Sequence, residues 1–540
     1  MSSSSDEHFE PKTSFSPPDT VPITSEEPSK KRAGGCRFWT VFASLCMVMF
    51  LSALDSTVIT IALPTISRSL DSNEYTWIVN GYALSCSVFL LVVGQLADFF
   101  DRKATVLGCV FLFAAGSALC GAAQSMGMMI SGRVIQGIGG GGIAVMAEIV
   151  CSDMVPLQDR SKYLGLLLAL ASLGTVVGPP IGGGIIAHTT WRWIFYINLP
   201  LAGFAFAFLV LGLERRTPGL EVSTLSLRAK LQRIDWAGNA LFAGSATALL
   251  LGLLTGGTEH PWGSANVVLP LVLGVAGLGV FRWHEGSGRA AWPVMPPRLF
   301  DNRTALALHA LACFVVLMLT WQSYFLPVYF QAVLRESPER SSVLLLPTVL
   351  APLPLSVAGG VLMAALQRVR EIHMAAAAIL AVGFGVFSLF DGGTGLALRV
   401  VMQVVASAGV GLLVATILPA LQAQLPERDV AAVTALFSFS RSLGGIWGVT
   451  IPSVIFNARV NHGLASVRDE AVRRLLEDGG AYARASASFV GSLGGETRDE
   501  VIGLYVDSLR VVWYVAVGFC GAAFLLACFE KRIEINSGQK

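Results

Sequence analysis

Five charged side chains stand inside runs of sequence that are otherwise apolar: Asp55, Arg133, Glu148, Arg399 and Arg441. A charge in a membrane-crossing helix costs about 2.5–3.5 kcal/mol on insertion scales, so such residues usually face a cavity or a partner. Asp55 and Arg133 lie deepest and fit a water-filled cavity better than a lipid face. The plainer reading of Asp55 is a packing hydrogen bond with a neighbouring Ser or Thr. Glu148 and Arg399 lie nearer the ends of their runs, where a snorkelling, interfacial role is equally compatible. An acid placed like Asp55 can do proton chemistry. Burial favours its neutral form, and a nearby cation favours its charged form. If the site is reached alternately from two sides, a proton taken up on one side is released on the other.

These residues need a scaffold, and the composition says which kind. Of 540 residues, 54% are hydrophobic and 14% charged, against about 25% charged in an average soluble domain. Mean hydropathy is +0.64. A water-soluble chain of this length needs far more polar surface. About 20 apolar residues span a bilayer. Candidate spans fall near 39–63, 75–97, 104–123, 128–150, 163–187, 193–213, 235–255, 265–283, 304–330, 341–365, 372–390, 394–420, 430–456 and 509–529. Fourteen spans, all helical because lipid leaves no water to satisfy open strands, make an all-α integral membrane protein.

The basic residues orient it. With the N-terminus inside, inner segments collect Lys30, Lys31, Arg32 and Arg37, then Arg102 and Lys103, Arg160 and Lys162, and several more up to Lys531 and Arg532. The short outer loops hold only Arg68, Arg192, Arg335 and Arg340. Lys and Arg favour the cytoplasmic side, so both termini are expected there. The sequon Asn302-Arg303-Thr304 then lies inside and is expected to be unglycosylated. Residues 1–37, rich in Ser, Pro, Glu and Lys, read as a disordered tail without the apolar core of a signal peptide.

Several chemistries are absent. The charges nearly balance at a formal +2, which gives no case for nucleic-acid binding. No Gly-Lys dipeptide occurs, so the phosphate loop of nucleotide-driven pumps is missing. The seven His are scattered, and the nine Cys show no CxxC spacing. No metal site, disulfide framework or cofactor is expected, and an enzyme is disfavoured.

Gly and Pro punctuate the spans. Span four carries Gly137-Ile138-Gly139-Gly140-Gly141-Gly142, and span five runs from Gly174 to Gly184 through Gly178, Pro179, Pro180, Gly182 and Gly183. Gly lets helices approach closely, and Pro interrupts the hydrogen-bond ladder.

Together these stretches resemble the major facilitator superfamily, and within it the fungal fourteen-span drug:H+ antiporters. Gly94-Gln95-Leu96-Ala97-Asp98-Phe99-Phe100-Asp101-Arg102-Lys103 is similar to the superfamily's Gly-x-Leu-x-Asp-x-x-Gly-Arg-Lys loop. Asp101 stands where the family has Gly, a departure that bears on the tight turn. Arg133-Val134-Ile135-Gln136-Gly137 resembles the fourth-span Arg-x-x-Gln-Gly motif, associated in the family with proton transfer. Gly174, Gly178, Pro179, Gly182 and Gly183 match the antiporter motif, and Leu54-Asp55-Ser56-Thr57-Val58 resembles the first-span motif.

The resemblance implies two six-helix bundles plus two extra central helices. The expected parts are an N-terminal bundle over 38–213, a linker with two spans over 214–303, a C-terminal bundle over 304–530 with a long outer loop at 457–508, and a tail at 531–540. It implies a proton-coupled transporter that exports small apolar or amphipathic compounds, driven by the proton gradient without a cofactor. An importer on the same fold, for siderophores or basic amino acids, stays open. By motif match Asp55, Arg133 and Gln136 serve proton coupling, and Gly94, Asp98, Arg102 and Lys103 serve a conformational latch. Trp321, Gln322, Tyr324, Tyr329 and Arg441 are cavity candidates for the cargo. A monomer is expected, with a small molecule and the bilayer as partners. The plasma membrane is the expected location, with the vacuolar membrane open.

Overall fold

The computed structural model describes residues 35–70, 76–214, 226–256, 261–287, 293–295, 299, 302–425, 429–477 and 480–531. The expected tail therefore lies outside the described residues up to residue 34, as do 215–225 of the linker and 532–540 of the C-tail.

Among the described residues, fourteen helices are long and apolar enough to cross a bilayer, in the order expected: Cys36–Ile59, Trp77–Phe99, Arg102–Gly121, Met126–Met154, Leu157–Ile186, Trp193–Gly212, Trp236–Leu253, Ala265–Gly286, Arg303–Val333, Arg340–Leu366, Val369–Phe387, Leu396–Gln422, Val430–Ser466 and Gly495–Cys528. They are spans one to fourteen below. Prolines explain the irregular ones. Pro327 precedes a π-helical turn at Tyr329–Val333, and span ten breaks between Leu350 and Pro352, flanked by Pro347 and Pro354. One expectation is corrected. The stretch 457–508, expected as a loop, is largely helical. Span thirteen's helix continues to Gly463, short helices occupy Glu470–Leu476, Gly480–Ala483 and Ala487–Ser492, and the last helix already starts at Gly495. These segments are too polar for an apolar-run criterion, but they pack on neighbours: Tyr505 donates to the Ala481 carbonyl at 2.7 Å.

Spans one to six pack together, as do spans nine to fourteen. Spans seven and eight pair with each other, and span seven leans on spans two and thirteen. Phe242 of span seven meets Phe439 of span thirteen with ring centroids 5.0 Å apart, and Asn239 donates to Gln95 of span two. Span seven thus closes one side of the groove between the bundles, while span eight is largely exposed.

At the Lys/Arg-rich end the bundles touch. Ser161 of span five donates to the Met363 sulfur of span ten at 2.9 Å. Arg160 donates to Gln422 at 3.1 Å, and Gln422 in turn donates to Ser152 at 3.1 Å. Gly360 is essential to this closure, because a Cβ there would lie 2.6 Å from the Ser161 carbonyl carbon and 2.7 Å from the Lys162 nitrogen. Gly360→Val is expected to force this end open. With Ser161→Cys and Met363→Cys in a background freed of native cysteines, an oxidative cross-link forms and is lost when Gly360→Val is added. Undiminished cross-linking would refute the close approach.

Asn302 of the sequon is engaged at both ends of its amide. Its oxygen caps the Thr304 N–H at 3.0 Å, and its nitrogen donates to Gln424 at 2.6 Å.

Candidate functional site

Among the buried polar clusters of the described residues, two bear on the site, and they sit in different places. The first belongs wholly to the N-terminal bundle. Asp55 lies near the end of span one, whose helix runs on to Ser69, Ser117 lies on span three, Arg133 and Gln136 on span four, and Asn198 opens the main helix of span six. All but Arg133 have no exposed surface, and Arg133 is 1% exposed. Asp55 Oδ2 accepts from Arg133 at 2.6 Å. Asp55 Oδ1 accepts from Gln136 at 2.8 Å and from Asn198 at 2.7 Å. Gln136 returns its oxygen to Arg133 at 2.6 Å and donates to Ser117 at 2.7 Å. Arg133 Nε donates to the Ile78 carbonyl at 2.9 Å, and its guanidinium lies over the Tyr82 ring at 4.3 Å.

This carboxylate accepts from three donors, and a buried ion pair of this kind is stable only while every partner is present. The helical spacing explains the motif. Arg133 and Gln136 are three residues apart and share a helix face, so both reach Asp55. The glycines beside them let the neighbours in. A Cβ on Gly137 or Gly141 would strike span two, and one on Gly139 or Gly142 would strike span three.

The second centre floors a cavity of about 1330 Å³ between the bundles. Its lining runs from Glu148 and Ser438 in the basic half to Trp262, Asn457 and Asn461 at the opposite end. Glu148 on span four accepts from Arg441 on span thirteen at 2.9 Å and from Ser438 at 3.0 Å. Ser87 of span two and Ser442 of span thirteen share a hydrogen bond beside them.

Several expectations need correcting here. Asp55, Arg133 and Gln136 were expected at a wetted cavity. They are sealed from it, with span two as the wall: Tyr82 covers Arg133 while Asn80 and Cys86 face the cavity. Glu148 is not interfacial; it is 1% exposed at the cavity floor. Arg399 does stay near a helix start, at Leu396. Of the cargo candidates, Tyr324 and Arg441 line the cavity. Trp321, Gln322 and Tyr329 do not. On span nine, Val316 and Tyr324 face the cavity two turns apart; Trp321 points the other way, onto Phe519, and Gln322 is buried with no exposed surface. Tyr329 donates to the Asp391 carbonyl at 2.8 Å, where span nine ends.

The loop motif forms a cluster at the basic end. Arg102 pairs with Asp153 at 3.1 Å and with Asp98 at 3.7 Å, both within the N-terminal bundle. Gly94 makes the contact across the bundles, packed against the Ala435 methyl. Lys103 donates to the Val210 carbonyl at 2.5 Å. Asp101, in the family's Gly position, has φ −59° and caps span three by accepting from the Lys103 N–H at 3.2 Å. No left-handed backbone is needed, so Asp serves as a capping residue there.

In span five, Gly174, Gly178 and Gly182 lie against span one, where a Cβ would meet Phe50, Thr57 and Val58 respectively. Gly183 faces open space. The Pro179 side chain lies outside the described residues.

Sequence reasoning missed Asn198, Ser117 and Ser438. Their types are common in membrane helices, and only the fold brings them to an acid.

The family model described as Major Facilitator Superfamily matches residues 45–449. The chain is 42% identical over 514 residues to the MFS efflux transporter aclA of Aspergillus oryzae, which covers 95% of this chain and 92% of that protein. It is 43% identical over 528 residues to the Acurin A biosynthesis cluster MFS-type transporter of Aspergillus aculeatus, covering 96% and 93%. It is 39% identical over 513 residues to the efflux pump FUS6 of Gibberella fujikuroi, covering 94% and 91%. Among solved structures, it resembles the human organic anion transporter MFSD10 (TETRAN), with a TM-score of 0.58 at 14% identity over 92% of this chain and 100% of that one. It also resembles the proton:xylose symporter XylE, with a TM-score of 0.53 at 13% identity over 92% and 98%. At these identities the structural likeness is one of fold.

Proposed function

Because this chain belongs to the major facilitator superfamily, we propose that it exports small amphipathic compounds by proton-coupled alternating access. The observation that carries this reading is the cavity of about 1330 Å³ between two bundles that meet at the Lys/Arg-rich end and at the cavity floor. Ligand cavities of this kind are mostly apolar with a few placed polar groups. Lys and Arg favour the cytoplasmic side, which puts the closed end inside and makes this the outward-facing state, with both termini cytoplasmic. Rocking of one bundle against the other would then part the Ser161–Met363 and Arg160–Gln422 contacts and offer the cavity to the inner side.

In this mechanism the proton acts at Asp55. Neutralising the acid releases Arg133, Gln136 and Asn198 together, which loosens spans one, four and six against one another. Spans one and four also border the bundle interface: Met49 and Glu148 line the cavity. Names given to relatives support export: aclA and FUS6 are an efflux transporter and an efflux pump. Expulsion from the cell fits the plasma membrane, and one chain encloses a complete cavity, so a monomer suffices.

The test uses yeast expressing the chain and loaded with fluorescent amphipathic dyes. Dye should leave faster than from control cells, and a protonophore should abolish the difference. Net uptake, or efflux that ignores the protonophore, would overturn the reading.

A further inference from the structure

We infer that the Arg441 edge at the cavity floor is an anion subsite, so that the preferred cargo is an amphipathic organic acid: a carboxylate or an ionised enol or phenol. This rests on the transport reading above and names the substrate class. Among the described residues, Glu148 and Arg441 are the only charged side chains that line the cavity, and they are unequally exposed. The Glu148 side chain is 1% accessible and Arg441 26%. Both Glu148 oxygens are engaged, by Arg441 and by Ser438. A guanidinium has five N–H donors. One Arg441 nitrogen serves Glu148 at 2.9 Å, while its Nε is buried without a hydrogen-bond partner. The chamber therefore hides its negative charge and exposes part of the Arg441 side chain, whose guanidinium has more donors than Glu148 uses.

An arginine edge binds a planar acid through two parallel hydrogen bonds. Ser442 lies beside it on the floor, and Leu250, Leu253, Val316 and Ile446 supply apolar wall for the rest of the molecule. The match also makes physical sense for a carrier. An ionised acid crosses the hydrocarbon core poorly unaided, so once expelled it stays out. Glu148 keeps the guanidinium paired when the cavity is empty, and it competes with the incoming acid.

Three probes test this on purified protein: 1-pyrenebutyrate, its methyl ester and 1-pyrenebutylamine, with binding followed by fluorescence anisotropy. The acid should bind about tenfold or more tightly than the ester, the range of one charge-assisted contact. Arg441→Gln should erase that preference, so that acid and ester bind alike. Since this variant strands a buried carboxylate, Arg441→Gln with Glu148→Gln provides a neutral pair of similar volume and should show the same loss. Glu148→Gln alone should tighten the acid. Equal binding of acid and ester to the unaltered protein, or tightest binding of the amine with its loss in Glu148→Gln, overturns the inference. If a dye is still pumped out in a protonophore-sensitive way while acid preference is absent, only the subsite fails and the transport reading stands. If no dye is pumped, the transport reading itself fails.

Discussion

Asp55→Asn reduces proton-driven transport in vesicles to the level of empty vesicles, while exchange of cargo without a gradient continues. The expectation follows from the donor count at this carboxylate. Asp55 accepts from Arg133, Gln136 and Asn198 with no exposed surface. Asparagine has one oxygen to offer and turns an N–H group toward donors. It also leaves Arg133 buried without its counter-charge, which costs about 3–5 kcal/mol when one member of a buried pair is removed. The melting temperature should therefore fall as well, so instability has to be separated from loss of coupling. Adding Arg133→Gln to Asp55→Asn removes the stranded charge. The double variant should regain much of the thermal stability and none of the gradient-driven flux. Normal flux in stable Asp55→Asn protein would show that the proton acts elsewhere, and Glu148 would be the next acid to test.

The second large effect is expected from one glycine of span five and none from another. A Cβ on Gly178 would fall 2.1 Å from the Thr57 hydroxyl oxygen and 3.1 Å from both the Leu54 carbonyl oxygen and the Val58 nitrogen. Backbone cannot yield as a side-chain tip can, so Gly178→Val must push spans one and five apart. Overpacking of this kind costs about 1–3 kcal/mol, and an energy of that size changes the ratio of two conformations by about 5–150-fold. Transport by Gly178→Val should fall steeply although the protein still reaches the membrane. Gly183 belongs to the same motif, but a Cβ there meets nothing within 4 Å. Gly183→Val should transport within about twofold of the unaltered protein, as surface substitutions usually cost under about 0.5 kcal/mol. Dye efflux normalised to surface expression checks both. Equal loss in the two variants would mean that the motif acts through something other than the span one contact.

These two glycines mark how far the motif itself could be read. Gly174, Gly178 and Gly182 recur every four residues, which places them on one helix face, and dense glycine signals close approach. Which helix approaches, and that Gly183 is left out, depends on the rotation of span five against span one. The same holds for span nine. Tyr324 and Trp321 are equally plausible aromatic cavity residues in the sequence, yet one lines the cavity and the other packs on Phe519.

What the amino-acid sequence determined by itself is the set of quantities that add residue by residue. Transfer of each side chain into lipid is a local free energy, so fourteen apolar runs and the bias of Lys and Arg could be summed along the chain without knowing any contact. The spacing of Arg133 and Gln136 is likewise local, and it put both on one face of span four. Only the tertiary structure decided which acid meets which base and which of them faces the cavity. Asp55 and Arg133 are 78 residues apart, and Glu148 and Arg441 are 293 apart. Their pairing depends on helix rotation and on bundles closed at one end. Packing of span two within the N-terminal bundle sealed Asp55 behind Tyr82, and closure between the bundles left Glu148, near the end of its apolar run, at the floor of the chamber.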